Sequence, residues 1–194
     1  YTAEKVVFAL PPRMIIEHID ISECLSILQK QVLKNIPTWM AGSVKIVVQY
    51  STPFWKKSGI SGNWLSYSSI IQQFHDASPQ DDSLGILFWF LRANSSKNIE
   101  KECKNQLIEI FGEEAWKYTK FSIKDWKSDV FTSSELYDVS IWVYPSYFFP
   151  DELGLLKKNN LFFASTEVSI DNWWLVEWAL SASESVVDSL IKQI

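Results

Sequence analysis

Glycine is scarce in this chain, with 6 in 194 residues, where about 7% is usual. No Gly-x-Gly-x-x-Gly run occurs, so the tight turn that lets a backbone approach a pyrophosphate is absent. Cysteine is sparse too. Cys24 and Cys103 lack CxxC spacing, form neither a zinc nor a redox motif, and read as buried or free thiols. Basic residues are not in surplus: the net charge of -5 gives no reason to expect nucleic-acid binding. No apolar run reaches the roughly 18 residues of a bilayer span. The opening YTAEKVVFALPPR carries no basic region followed by a long apolar core, so no secretory signal is visible and the cytoplasm is favoured. Only two histidines are present, and neither His18 nor His75 matches a base or ligand role, so no metal site is expected. A start at Tyr1 and not Met is how an internal fragment or a processed product would begin.

What is abundant is apolar and aromatic. Hydrophobic residues make up 47% of the chain and charged residues 21%, which is globular and not disordered. Ten tryptophans stand against the six glycines. Asn94-Ser95-Ser96 fits a glycosylation acceptor, a triplet common by chance.

The pattern predicts an α+β fold. Val6 to Leu10 is a short buried strand stopped by Pro11-Pro12. Ser22 can cap a helix to about Asn35, with Leu25, Leu28, Val32 and Leu33 on one face. From Gly42 to Tyr50 the residues alternate: Val44, Ile46, Val48 and Tyr50 point one way, Lys45, Val47 and Gln49 the other. Further strands are expected around Trp64 to Ser68, Ile70 to His75 and Gly85 to Leu91. Short turns between them imply a mainly antiparallel sheet over 43–92, backed by helices near 22–35 and 97–111. Ser96 can cap the second helix and Gly112 can end it. Residues 113–160 read as a short helix near Glu113 to Tyr118 and long irregular connections. Leu161 to Ala164 is another apolar strand. Trp174, Trp178, Ala182, Val186, Leu190 and Ile194 mark a long terminal helix.

Four blocks carry a more specific signal. AEKVVFALPPR resembles the last strand of the dinucleotide domain of flavin-containing amine oxidases. IPTWMAGSVKIVVQYSTPFWKKSGISG resembles that family's substrate-domain strand and turn, KDWKSDVFTSSE its flavin-facing Trp segment, and LFFASTEVSIDNWWLVEWALSAS its closing signature. The blocks keep the family's order, and the resemblance is to the C-terminal half only. It implies a strand of the FAD-binding domain over 1–12, a substrate-binding-like domain over 13–123, and a flavin-facing segment of the FAD-binding domain over 124–194. The strand 161–164 should then lie beside the strand 6–10.

The resemblance also implies site residues. Lys45 matches the lysine that points at the flavin ring and holds a water near its reactive nitrogen. On its own terms it reads as a lone cation among β-branched neighbours, and desolvation of an ammonium suits such a group to proton handling. A surface or ion-paired lysine is the plainer alternative. Trp126 matches the tryptophan that packs along the isoalloxazine, and a core tryptophan competes with that. Thr166 and Glu167 match the pair that hydrogen-bonds the flavin's ribityl region. The helix start at Trp174, Leu175 and Val176 would aim backbone N–H groups at the pyrimidine edge. Leu136 and Leu175 stand where members oxidising aromatic amines place two tyrosines beside the substrate. Glu135 replaces the cysteine that attaches flavin in some members, so FAD would be bound noncovalently. Ser134, Ser165, Trp174, Trp178, Ser183 and Trp89 occupy places where the family pattern has glycine.

Two readings follow. One is the C-terminal portion of an FAD-dependent amine oxidase, taking a small amine and oxygen, with the FAD-binding N-terminal half as its partner and no FAD binding in isolation. The other is a noncatalytic descendant that keeps the fold as a binding or interaction module.

Overall fold

The structure, a computed structural model, describes residues 2–92, 97–133, 150–154, 156, 160–169 and 176–192. In chain order the elements begin with β1 (Val6–Phe8), α1 (Pro12–His18), α2 (Ile27–Asn35), β2 (Ser43–Tyr50), α3 (Phe54–Lys57), β3 (Trp64–Leu65), β4 (Gln73–Asp76) and β5 (Gly85–Arg92). They continue with α4 (Ile99–Phe111), β6 (Lys120–Asp125), α5 (Asp151–Gly154), β7 (Leu161–Phe163) and α6 (Val176–Ile191). The chain divides into two compact units, Tyr1–Ala41 with Val130–Ile194, and Gly42–Asp129.

The first unit joins the two ends of the chain. β1 and β7 pair in parallel, Val6 with Leu161 and Phe8 with Phe163, as the sequence predicts for the strands at 6–10 and 161–164. The Phe8 and Phe163 rings lie 5.5 Å apart. Pro12 opens α1, where its fixed φ suits a first helical turn. The sequence reading used Pro11-Pro12 only as a stop and missed this helix. Buried Arg13 donates from Nε and Nη2 to the Ile36 carbonyl at 3.1 and 2.9 Å, tying α1 to the end of α2.

α2 starts later than predicted. Its cap is Ser26, not Ser22, and Ser26 and Gln29 form a reciprocal capping box, which satisfies two otherwise unpaired amides. Leu33 is buried there, while Leu28 is exposed. Leu33 packs with Phe8, Ile15, Leu153, Leu161 and Val168. The helix predicted at 22–35 therefore backs β1 and β7, not the antiparallel sheet. This is also why 13–41 groups with the chain ends, where the sequence division at 12 and 123 placed it with the substrate-like domain. On α6, Ala182 and Val186 are buried and Trp178 and Leu190 half-buried, the face that the helical spacing marked out.

The second unit is an antiparallel five-stranded sheet in the order β3-β4-β5-β2-β6. β2 lies between β5 and β6, with Ile46 opposite Trp89 on one side and Ile123 on the other. Val44, Ile46, Val48, Tyr50, Leu87, Trp89 and Leu91 bury one face against Cys103 and Leu107 of α4. α4 runs as predicted to Gly112 but begins at Ile99 after Asn98, without a side-chain cap bond. The strand expected from Trp64 to Ser68 ends at Leu65, and the one expected from Ile70 to His75 starts only at Gln73 and runs to Asp76. β6 was not foreseen: KFSIKD is short and charged, the composition of an edge strand that resists further pairing.

Burial shifts two groups in this core. The Cys103 thiol is pushed up to about 12 by desolvation, and the Tyr50 phenol, donating to the Ala115 carbonyl at 3.1 Å, is raised for the same reason. Gly62 sits at φ +72 where a Cβ would come within 2.6 Å of the Trp55 indole nitrogen. That nitrogen donates to Asp76 at 3.0 Å.

Candidate functional site

β2 decides what the second unit presents. Its pleat sends Lys45, Val47 and Gln49 to the face opposite the core, where all three are half-buried. Ile86, Phe88 and Phe90 of β5 share that face, also half-buried. The result is an apolar, aromatic surface with the Lys45 ammonium set into it. Lys45 Nζ lies 5.1 Å from the Phe88 ring centroid and 5.3 Å from that of Phe90. Such contacts are worth about 0.5–1 kcal/mol at exposed sites and more when desolvated. Phe88 and Phe90 meet edge to face at 6.2 Å, and His75 stacks at a tilt on Phe88 at 5.4 Å. His75 is on this face while Asp76 turns the other way to Trp55, as adjacent strand residues must.

Lys45 is not the lone cation that the sequence suggests. Lys124 is its Cα partner across β6, and Lys124 Nζ lies 4.9 Å from the Trp126 ring and 2.5 Å from Asp129. The sequence could not reveal this, because it follows from the pairing of an edge strand that went unrecognised. Trp126 is half-buried, and its backbone N–H donates to the Ser43 carbonyl at 2.9 Å. Two of the predicted site residues, Lys45 and Trp126, thus belong to one unit. Phe88, Phe90, Lys124 and Asp129 are additions. The alternation of GILFWFLR is the sequence signal for Phe88 and Phe90. Trp89, at a place where glycine is expected, is buried in the core with Ile46 as its Cα partner, so its indole leaves the Lys45 face clear.

Thr166 and Glu167 lie in the first unit, in a 3-10 turn spanning Thr166–Val168. The Glu167 side chain is buried. Desolvation raises its carboxyl above the usual range, opposed by its own backbone N–H, by Ser165 and by the charge of Arg13. Val176 is exposed at the start of α6. Trp174, Leu175 and Leu136 lie outside the described residues.

Among the described residues, no group of three His, Cys, Asp or Glu could hold a metal. No described helix is long and apolar enough to cross a membrane. Neither cysteine is in a disulfide. Buried Ser43 has a hydroxyl with no partner, one pleat along β2 from Lys45. It is a donor and acceptor of the kind that a bound polar group or its water would satisfy.

Residues 1–190 match the family described as flavin containing amine oxidoreductase. Putrescine oxidase of Kocuria rosea is 28% identical over 138 residues, 67% of this chain and 28% of that protein. Among solved structures, cyclohexylamine oxidase from Brevibacterium oxydans superposes with a TM-score of 0.74 at 19% identity, over 98% of this chain and 43% of that one. Putrescine oxidase bound to putrescine gives 0.71 at 19%, over 97% and 43%. The chain spans between 18% and 30% of the length of the curated relatives it matches.

Proposed function

The chain belongs to the flavin-containing amine oxidoreductase family, and from that premise we propose that it is the C-terminal portion of an FAD-dependent amine oxidase. The observation that carries this reading is the Lys45 face: an ammonium held over aromatic rings on a half-exposed apolar surface, with Trp126 in the same unit. A planar, electron-poor ring system fits such a wall, since aromatic side chains exclude water and define a plane. The unpartnered Ser43 hydroxyl adds a polar contact of the kind this group would use.

When bound, the flavin supplies the redox chemistry, accepting a hydride equivalent from the carbon beside the amine nitrogen and passing electrons to oxygen. The chain's own residues orient and tune. Lys45 holds a water or an exchangeable proton at its Nζ on the aromatic face. Trp126 fixes the ring plane and keeps water away. Thr166 and Glu167 offer polar contacts to the ribityl region, and the amides at the start of α6 favour negative charge. The substrate is a small amine, with Leu136 and Leu175 as candidate lining residues. The pyrophosphate cradle is not in this sequence, so a second half carrying Gly-x-Gly-x-x-Gly completes the site.

The test has two arms. Alone, the 194-residue chain should leave free FAD fluorescence unquenched at micromolar concentration. Co-expressed with an N-terminal amine-oxidase half, it should purify yellow and bleach anaerobically with a small primary amine or diamine. A yellow complex that no amine of a broad panel bleaches would overturn the oxidase reading. It would favour the second one, a noncatalytic module.

A further inference from the structure

We propose that Lys124 and Asp129 are positioning residues for Trp126, selecting the plane that its indole presents beside Lys45; the catalytic meaning of this rests on the oxidase reading. Lys45 and Lys124 are Cα partners on β2 and β6, and like charges placed directly opposite on a sheet repel. The fold separates them by giving each ammonium its own partners. Lys45 is drawn over Phe88 and Phe90. Lys124 is drawn the other way, onto Asp129 at 2.5 Å and over the Trp126 ring at 4.9 Å.

Asp129 is placed for this by the turn after β6. The Lys127 N–H donates to Asp125 Oδ1 at 3.0 Å, Ser128 Oγ donates to the Asp125 carbonyl at 3.1 Å, and the Asp129 N–H donates to the Trp126 carbonyl at 3.2 Å. Asp129 is the less exposed partner, with its side chain at 20% against 50% for Lys124. The turn therefore fixes the carboxylate, the carboxylate fixes the ammonium, and the ammonium selects an indole face. The χ2 torsion of tryptophan is broad, so a cation over one face of a half-buried ring is enough to bias it. Neutralising Lys124 also leaves Lys45 as the ammonium whose charge is directed to the aromatic surface.

The test is 19F NMR of the full chain labelled with 5-fluorotryptophan, with the Trp126 line assigned by its loss in Trp126→Phe. In Asp129→Asn and Lys124→Met that line should shift or split, with the second indole orientation gaining roughly fivefold (about 1 kcal/mol). The lines of the other nine tryptophans should hold. Asp129→Glu and Lys124→Arg, which keep the charges, should keep the parent line. An unmoved Trp126 line in both charge-removing variants would overturn the proposal. So would a change spread over all ten lines, which would make the pair merely stabilising. No flavin is needed, so this result and that of the bleaching experiment are separable.

Discussion

Gln106 completes the backbone hydrogen bonding of Ile71 by itself: its Oε1 accepts the Ile71 N–H at 2.8 Å and its Nε2 donates to the Ile71 carbonyl at 2.9 Å. The carboxamide of α4 thus acts as a one-residue strand for the segment before β4. Both partners are buried, so removing the amide leaves a donor and an acceptor unmet. Gln106→Leu should cost on the order of 2–6 kcal/mol, since it leaves two buried orphans at about 1–3 each. Gln106→Glu keeps the acceptor but sets a buried carboxylate against the Ile71 carbonyl, so it should cost at least as much while ionised and less once protonated. Urea denaturation of the three chains gives the ranking, and faster amide exchange at Ile71 locates the loss.

Two glycines share a backbone conformation but not a neighbourhood. Gly59 and Gly62 both have φ +72, yet a Cβ at Gly59 would meet nothing within 4 Å while one at Gly62 would strike Trp55 and Asp76. Gly59→Ala should lose roughly 1–2 kcal/mol from the left-handed backbone alone. Gly62→Ala should lose clearly more and should quench or shift the fluorescence of the displaced Trp55. Equal losses in thermal denaturation would contradict this geometry.

Glu167 trades stability for its place. Its carboxyl is raised by burial, so between the ordinary carboxyl value and its folded one the unfolded chain releases a proton that the folded chain keeps. Stability therefore falls as pH rises through that window, and the cost is fully present once the pH is above the folded-state value. Glu167→Gln should melt higher than the parent at pH 7–8. The difference should shrink as pH falls towards the ordinary carboxyl range. A Gln variant less stable than the parent at pH 7 would refute this.

The two thiols should differ in chemistry. Cys103 is buried and pushed up to about 12, while Cys24 is exposed. At pH 8 iodoacetamide should label Cys24 in the folded chain and both residues only after denaturation, as peptide mapping would show. Above the ordinary thiol value near 9, ionisation of the unfolded thiol favours unfolding, so stability should decline from there towards pH 12.

The last prediction concerns the chain completed by its N-terminal half. Lys45→Met keeps the length of the stem but removes the ammonium and its contacts over Phe88 and Phe90. If Lys45 serves a proton-moving step, stopped-flow flavin reduction or reoxidation should slow by roughly 10²–10⁴-fold. Rates within a factor of two for both half-reactions would return Lys45 to a structural role.

The sheet was legible where burial imposes a period. β2 and β5 alternate because one face is core, and that alternation placed Lys45 on the outer face. β6 escaped because an edge strand of Lys, Ser and Asp carries little apolar period, and with it escaped Lys124 and Asp129. The start of α2 was misplaced because Ser22 and Ser26 are equally good caps in isolation, and only Gln29 completes a box with Ser26. The partners of α2 were misassigned because periodicity reports a buried face but not what buries it. Trp89 stands where the family pattern has glycine, and the pleat turns its indole into the core.

β1 and β7 come from opposite ends of the chain, and this imposes an order on folding. The second unit, Gly42–Asp129, is continuous in sequence, so every strand of its sheet is available once Asp125 has been synthesised. The β1–β7 pair of the first unit has to wait for Leu161. Non-local pairings of this kind close slowly. The antiparallel sheet therefore has every strand it needs before the parallel pair can close.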